Sequence, residues 1–185
     1  MKRTPIEENT LSDIDNNIFS IYYYHDLIVY ERLAMELVFH RAKEQDAEVL
    51  IDIYNSAFYD DYIRYGQCPA YGRTKESMEK SIKDFPKIIA YAQNTAAGVI
   101  SYRNNGDGKY YIGCLGVKKE YQGQGIGTAL MKRFMRECYD WKEITLVTPK
   151  DKEENIRFYV GRFGFEIIGE ETDGAVVVCQ FLLKR

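Results

Sequence analysis

The sequence predicts an α/β fold of the α+β kind, a mixed sheet with helices packed on it. Three observations predict it. Runs with a two-residue apolar period alternate with runs of helical period, the two signatures of half-buried strands and amphipathic helices. Two pairs of strand-like runs are joined by short turn sequences, as antiparallel neighbours are. The elements come in the order strand, two helices, three antiparallel strands, helix, strand, helix, two strands, and 185 residues suffice for one such core.

Residues 1–34 read as an N-terminal extension. A polar stretch leads into "NIFSIYYYHDLIVYERLA", which has neither a strand nor a helix period, and Met35 is an alternative natural start. From there residues 35–185 form the domain. "MELVFHRA" (35–42) alternates as a strand, and residues 43–58 space Ala47, Leu50, Ile51, Tyr54 and Phe58 at helical intervals. Residues 59–73 read as a polar loop rich in tyrosine. Thr74 caps a helix that stops before Pro86. "KIIAYAQ" and "AAGVISYR" make a hairpin around Asn94-Thr95, and "NNGDG" turns the chain into the strand 109–117. The next helix carries Ile126, Leu130, Phe134 and Met135 on one face. Residues 143–148 are a buried strand, and 151–163 a helix through Ile156, Tyr159, Val160 and Phe163, stopped by Gly164. A last hairpin turns at Asp173-Gly174, and the edge near 174–183 is open to pairing.

Composition excludes several classes of function. The net charge of −3 gives no basic field for nucleic acid, and no apolar run approaches the roughly 20 residues that span a bilayer. Neither a nucleic-acid partner nor a membrane is expected. Four scattered cysteines and two histidines offer no metal-ligand spacing, so no metal is expected, and a reducing cytoplasm is the simplest location.

One stretch asks for a chemical reason. "KEYQGQGIGTAL" places Gly123, Gly125 and Gly127 where a strand gives way to a helix, although glycine costs roughly 0.5–1 kcal/mol against alanine in regular structure. Amides at a helix start lack intrahelical partners and sit at the positive end of the dipole. With no side chains in the way, several can converge on one anion, each such bond being worth about 1.5–3 kcal/mol. The spacing matches neither the P-loop nor the dinucleotide fingerprint, since residue 130, where the latter needs glycine, is Leu130.

The run Leu115-Gly-Val117 followed by Gln122-Gly-Gln-Gly125-Ile-Gly127 resembles the acetyl-CoA signature of the GNAT superfamily of N-acetyltransferases, Q/R-x-x-G-x-G/A. "FYVGRFGF", Phe158 to Phe165, is similar to that family's second hallmark, and the element order from 35 to 183 matches as well. The resemblance implies a GNAT-like fold whose mostly antiparallel sheet is splayed between two central parallel strands, with helices on both faces. It implies acetyl-CoA as acyl donor and transfer to a primary amine by direct attack in a ternary complex; the alternative is a non-catalytic acyl-CoA-binding regulatory module. By the same resemblance, Gln122, Gly123, Gln124, Gly125, Ile126, Gly127 and Thr128 would hold the pyrophosphate. Leu115 and Val117 would pair with the pantetheine, with the Val117 amide as an oxyanion-type donor. Tyr159 matches the general acid, though a core tyrosine would look the same. The family's pantetheine asparagine falls at Lys152, and Asn155 is its substitute or a solvent-facing residue. Asp60, Asp61, Tyr65 and one of Tyr110 and Tyr111, with Tyr111 chosen, are candidates for binding the acceptor, which is a small-molecule, peptide or protein amine. The resemblance also allows a homodimer.

Overall fold

The computed structural model describes residues 36–185, so the expectations for residues 1–34 and Met35 lie outside the described residues. The described chain runs β1 (Leu37–Arg41), α1 (Ala47–Tyr65, entered by a 3-10 turn at Glu44–Asp46), α2 (Lys75–Asp84), β2 (Lys87–Ala92), β3 (Thr95–Asn104) and β4 (Lys109–Val117). After a 3-10 turn at Lys119–Tyr121 come α3 (Ile126–Glu137), β5 (Glu143–Pro149), α4 (Glu153–Ile156, continued as π-helix over Arg157–Arg162), β6 (Glu166–Asp173) and β7 (Val176–Lys184). The strands form one seven-stranded sheet in the order β1-β2-β3-β4-β5-β7-β6, antiparallel except for β4 and β5.

Helices cover both faces because β3 alternates. Val99 points into a cluster with Ala47, Leu50 and Ile53 of α1 and Met78 and Ile82 of α2. Gly98, one residue earlier, faces α3: a Cβ there would lie 3.2 Å from both Ile126 and Leu130, so its absence lets that helix seat closely. Tyr102 meets Phe134 of α3 at a centroid distance of 4.9 Å. Apolar burial on both sides of a central strand supplies most of the driving force.

Several boundaries differ from the sequence reading. Helix α1 does not stop at Phe58 but continues to Tyr65, where Gly66 closes it in a left-handed cap with its amide bonded to Tyr62 O at 2.9 Å. Residues 59–65 are therefore helical, not loop. Their tyrosines mislead because Tyr59 and Tyr62 pack on Tyr71 outside the helix rather than in the core. The Thr74 cap forms as expected, accepting from the Ser77 amide at 3.2 Å. Both hairpins turn one residue away from the predicted pair, at Gln93-Asn94, where both φ angles are positive, and at Gly174-Ala175. The open edge is corrected too. Residues 174–183 fall mostly in β7, which is paired on both sides by β5 and β6, so among the described residues the edge strand on that side of the sheet is β6.

Candidate active site

The parallel pair is short. β4 and β5 share only Lys109↔Glu143, Tyr110↔Ile144 and Tyr111↔Thr145, and then part. The cause is local. Gly113 is an extra residue on β4, between the pairs Ser101↔Cys114 and Tyr102↔Ile112, and a bulge of this kind bends and twists its strand. β5 meanwhile stays straight on β7 through Pro149↔Val178. Between the diverging strands lies a cleft of about 730 Å³, within the usual range for a small-molecule site.

The edges of that cleft carry unspent hydrogen-bonding groups. The Lys118 amide donates to Ala97 O at 2.8 Å, so by alternation the main-chain groups of Val117 and Leu115 turn away from β3 and toward the gap. Gln122 Nε2 takes the Val117 carbonyl at 3.0 Å, leaving the Val117 amide. At the mouth, Gly123 and Gly125 adopt φ of 75° and 82°, conformations that favour glycine strongly, and space around both is open. The first helical bond of α3 is Ala129 N–H to Gly125 O, at 3.0 Å, so the amides of Ile126, Gly127 and Thr128 precede the ladder. Gln124 braces the loop through Nε2 to Glu120 O, at 2.9 Å.

Tyr159 lines the cleft from α4 and is buried among Phe158, Phe165 and Phe181. Burial, then the neighbouring Cys114, raises its pKa well above that of an ordinary tyrosine, so it stays protonated at neutral pH. The π-helical turn in which it sits was not legible in the sequence. Widening the turn leaves Tyr159 buried but Val160 exposed, against the face predicted for a regular helix. Asn155 faces the cleft and donates from Nδ2 to Thr148 Oγ1 on β5 at 2.8 Å, leaving its carbonyl oxygen.

The acceptor-side candidates divide. Asp61, Tyr65 and Tyr111 line the cleft, whereas Asp60 lies off it, bonded to Lys119 Nζ at 2.9 Å. Tyr110, the alternative to Tyr111, is buried on the α3 face and donates to Asp140 at 2.7 Å. Asp61 pairs with Lys152, the residue at the family's asparagine position, and Tyr65 donates to Asp151 at 2.6 Å. These links join the last turns of α1 to the approach of α4. Lys118 pairs with Asp52, so Lys118 and Lys119 are both held by α1 carboxylates. Sequence reasoning singled out Asp60, Asp61 and Tyr65 in the 59–73 segment but not Gln67, Cys68 and Pro69, which reach the cleft wall, because nothing in their residue types distinguishes them from a surface loop.

The described sheet, which parts between its parallel strands β4 and β5 and is followed by a glycine loop opening α3, has the fold of solved acetyltransferases. A GNAT-family acetyltransferase from Streptococcus pneumoniae superposes with a TM-score of 0.64 at 17% identity, covering 80% of this chain and 99% of that one. The PaiA N-acetyltransferase of Thermoplasma acidophilum, solved with coenzyme A, gives 0.63 at 22%, covering 79% and 98%. An acetyltransferase of Thermus thermophilus gives 0.66 at 13%, covering 82% and 98%. A search of curated protein sequences returns no significant match. The family model for the acetyltransferase (GNAT) family matches residues 47–165, well over half of the chain, and the chain belongs to that family.

Proposed function

We propose that this chain is an acetyl-CoA-dependent N-acetyltransferase acting on a primary amine by direct attack, with residues 35–185 as the catalytic domain and residues 1–34 as an extension outside it. The observation that carries this reading is the parting of β4 from β5 beyond Tyr111, which leaves two unpaired strand edges beside Tyr159. Family membership supports acetyl transfer in general.

The residues fit the donor. The amides of the 122–128 loop would hold a pyrophosphate, since Gly123 and Gly125 keep the loop in a left-handed path with open space over it. Leu115 and Val117 would pair with the amides of an extended pantetheine, and Asn155 would add its free oxygen. Acetyl-CoA supplies an acyl carbon activated by its thioester. The Val117 amide would donate to negative charge developing on the carbonyl oxygen. Tyr159, kept protonated by burial, would give its proton to the departing sulfur.

Covalent catalysis has little support. Cys114 lines the cleft, but burial pushes its thiol up to about 12, so almost none is thiolate at neutral pH. Among candidate bases on the cleft wall, Asp61 is taken by Lys152 and burial raises both Tyr65 and Tyr111, which leaves the carboxylate of Asp173. Removing a proton from a free amine at pH 7 costs about 4.6 kcal/mol, which favours release to water through the open cleft or an acceptor with a low amine pKa. Free cysteines at 68, 114, 138 and 179 fit a reducing cytoplasm.

The test measures thiol release from acetyl-CoA with a panel of amines, alongside calorimetry with coenzyme A. Turnover with at least one amine is expected. Tight coenzyme A binding with no thiol release from any amine would instead establish an acyl-CoA-binding module.

A further inference from the structure

Beside the main cleft lies a second cavity of about 230 Å³, between the α1–α2 connector, the end of α2, and strands β3 and β4. The two share Pro69 and Ala70 of the connector and Tyr111, Gly113 and Cys114 of β4, so they meet along both. This volume is below the usual range for a whole ligand and suits one end of a molecule whose other end lies in the cleft.

Its polar lining is cationic. Arg103 projects from β3, its guanidinium carbon 5.5 Å from the Tyr111 ring centroid and 5.9 Å from that of Phe85, with Nε donating to Asn105 Oδ1 at 2.9 Å. Arg73 reaches in from the connector, with Nε donating to Pro69 O at 3.1 Å. In each case Nε is anchored while the two terminal nitrogens, the fork that grips a carboxylate, have no carboxylate partner among the described residues. The contrast with neighbouring cations is sharp, for Arg64, Lys118, Lys119, Lys150 and Lys152 are all ion-paired. Lys87, buried beneath, spends its protons on Ser81 and Phe85 at the end of α2, and so adds field but no ligand group. Burial, with the charge of Arg73 among the further causes, brings its ammonium down to about 8. The acids that act on Tyr111, Glu171 and Asp173, sit on β6, and neither is paired with an arginine.

We propose that the acceptor is an amino carboxylate: its carboxylate is held by Arg73 and Arg103 in the side cavity, and its amine extends past Tyr111 and Cys114 into the cleft. Asp60 and Asp61 are already paired, the charged side chains lining the side cavity are both cationic, and the one carboxylate on the cleft wall without an ion pair among the described residues is Asp173, on the side where the amine would lie. In the reaction the amine nitrogen bonds to the acyl carbon as the carbon–sulfur bond breaks. The nitrogen loses a proton and the sulfur gains one, leaving an N-acetyl amino acid and free coenzyme A. The proposal rests on the acetyltransferase reading.

The test compares amino acids with their own amides and decarboxylated amines, with spermidine and a lysine peptide as cationic controls, by thiol release. The carboxylate-bearing member of each set is expected to show a kcat/KM at least ~10-fold higher. Arg103→Met and Arg73→Met should each raise the acceptor KM by ~10-fold or more and erase that preference, while leaving the KM for acetyl-CoA in place; Arg103→Lys should restore it only in part. A preference for spermidine or for the amides, or arginine variants that keep the wild-type preference, overturns the anion pocket and leaves the acetyltransferase reading standing. Absence of thiol release with every amine overturns both.

Discussion

Two regions of this molecule present positive potential, and they do so by different means. The 122–128 loop uses main-chain amides, exposed by two left-handed glycines at the start of α3. The side cavity uses guanidinium groups, set on a connector and a strand thirty residues apart in sequence. A backbone device needs neighbouring residues in one conformation, so it is written as a short contiguous motif. A side-chain device is assembled by the fold and leaves no local trace. The difference also sets what each can select. Amides converge on any suitably shaped polyanion, whereas a pair of forked cations tells a carboxylate from an amide.

The strongest way to break the comparison is at the loop. Gly125→Val forces a β-branched residue into φ of 82° and is expected to lower coenzyme A affinity by ~100-fold or more through loss of convergent bonds, read by calorimetry. Unchanged affinity would remove the backbone half of the contrast. Next in size is Tyr159→Phe, for which a fall in kcat of ~100-fold is expected with coenzyme A binding preserved. Because burial raises this hydroxyl above the ordinary tyrosine range, the proton is present throughout neutral pH, and the alkaline fall in kcat should not begin below about pH 10. An alkaline limb near pH 8 that vanishes in the variant would contradict that. The arginine substitutions follow, with their ~10-fold effect confined to the acceptor. The smallest expected effect on ligand binding is from Asp61→Asn, which strands the half-buried Lys152. It should cost about 1–3 kcal/mol in thermal unfolding, with little change in coenzyme A affinity.

Much of the fold was legible because it rests on period and punctuation. Thr74, Gly164 and the "NNGDG" turn act through local backbone chemistry, and each sits where its residue type predicts. The end of α1 was not legible, since Tyr59 and Tyr62 cover a neighbouring tyrosine and give no core-facing stripe. Nor was the π-turn, because Phe158 to Arg162 reads as ordinary helix until the inserted residue shifts Val160 outward. At the site, Leu115, Asn155 and Tyr159 line one cleft, while Val117 and the loop, joined by the Gln122 bond to the Val117 carbonyl, lie at the end of β4. Asp60 lies off the cleft, and Arg73 and Arg103 carry no sequence signal, since a lone arginine beside a turn is usually a solvated one.

The bulge at Gly113 has a consequence for what can enter. It creates two raw sheet margins inside the protein, walled by α1 on one side and α4 on the other, rather than at the rim where a foreign strand might dock. A visitor must satisfy those margins with its own amides while being slender enough to thread between helices, about the girth of a single polypeptide strand at ~4.8 Å spacing. Cross-section thus acts as the first filter on the donor, ahead of any charge.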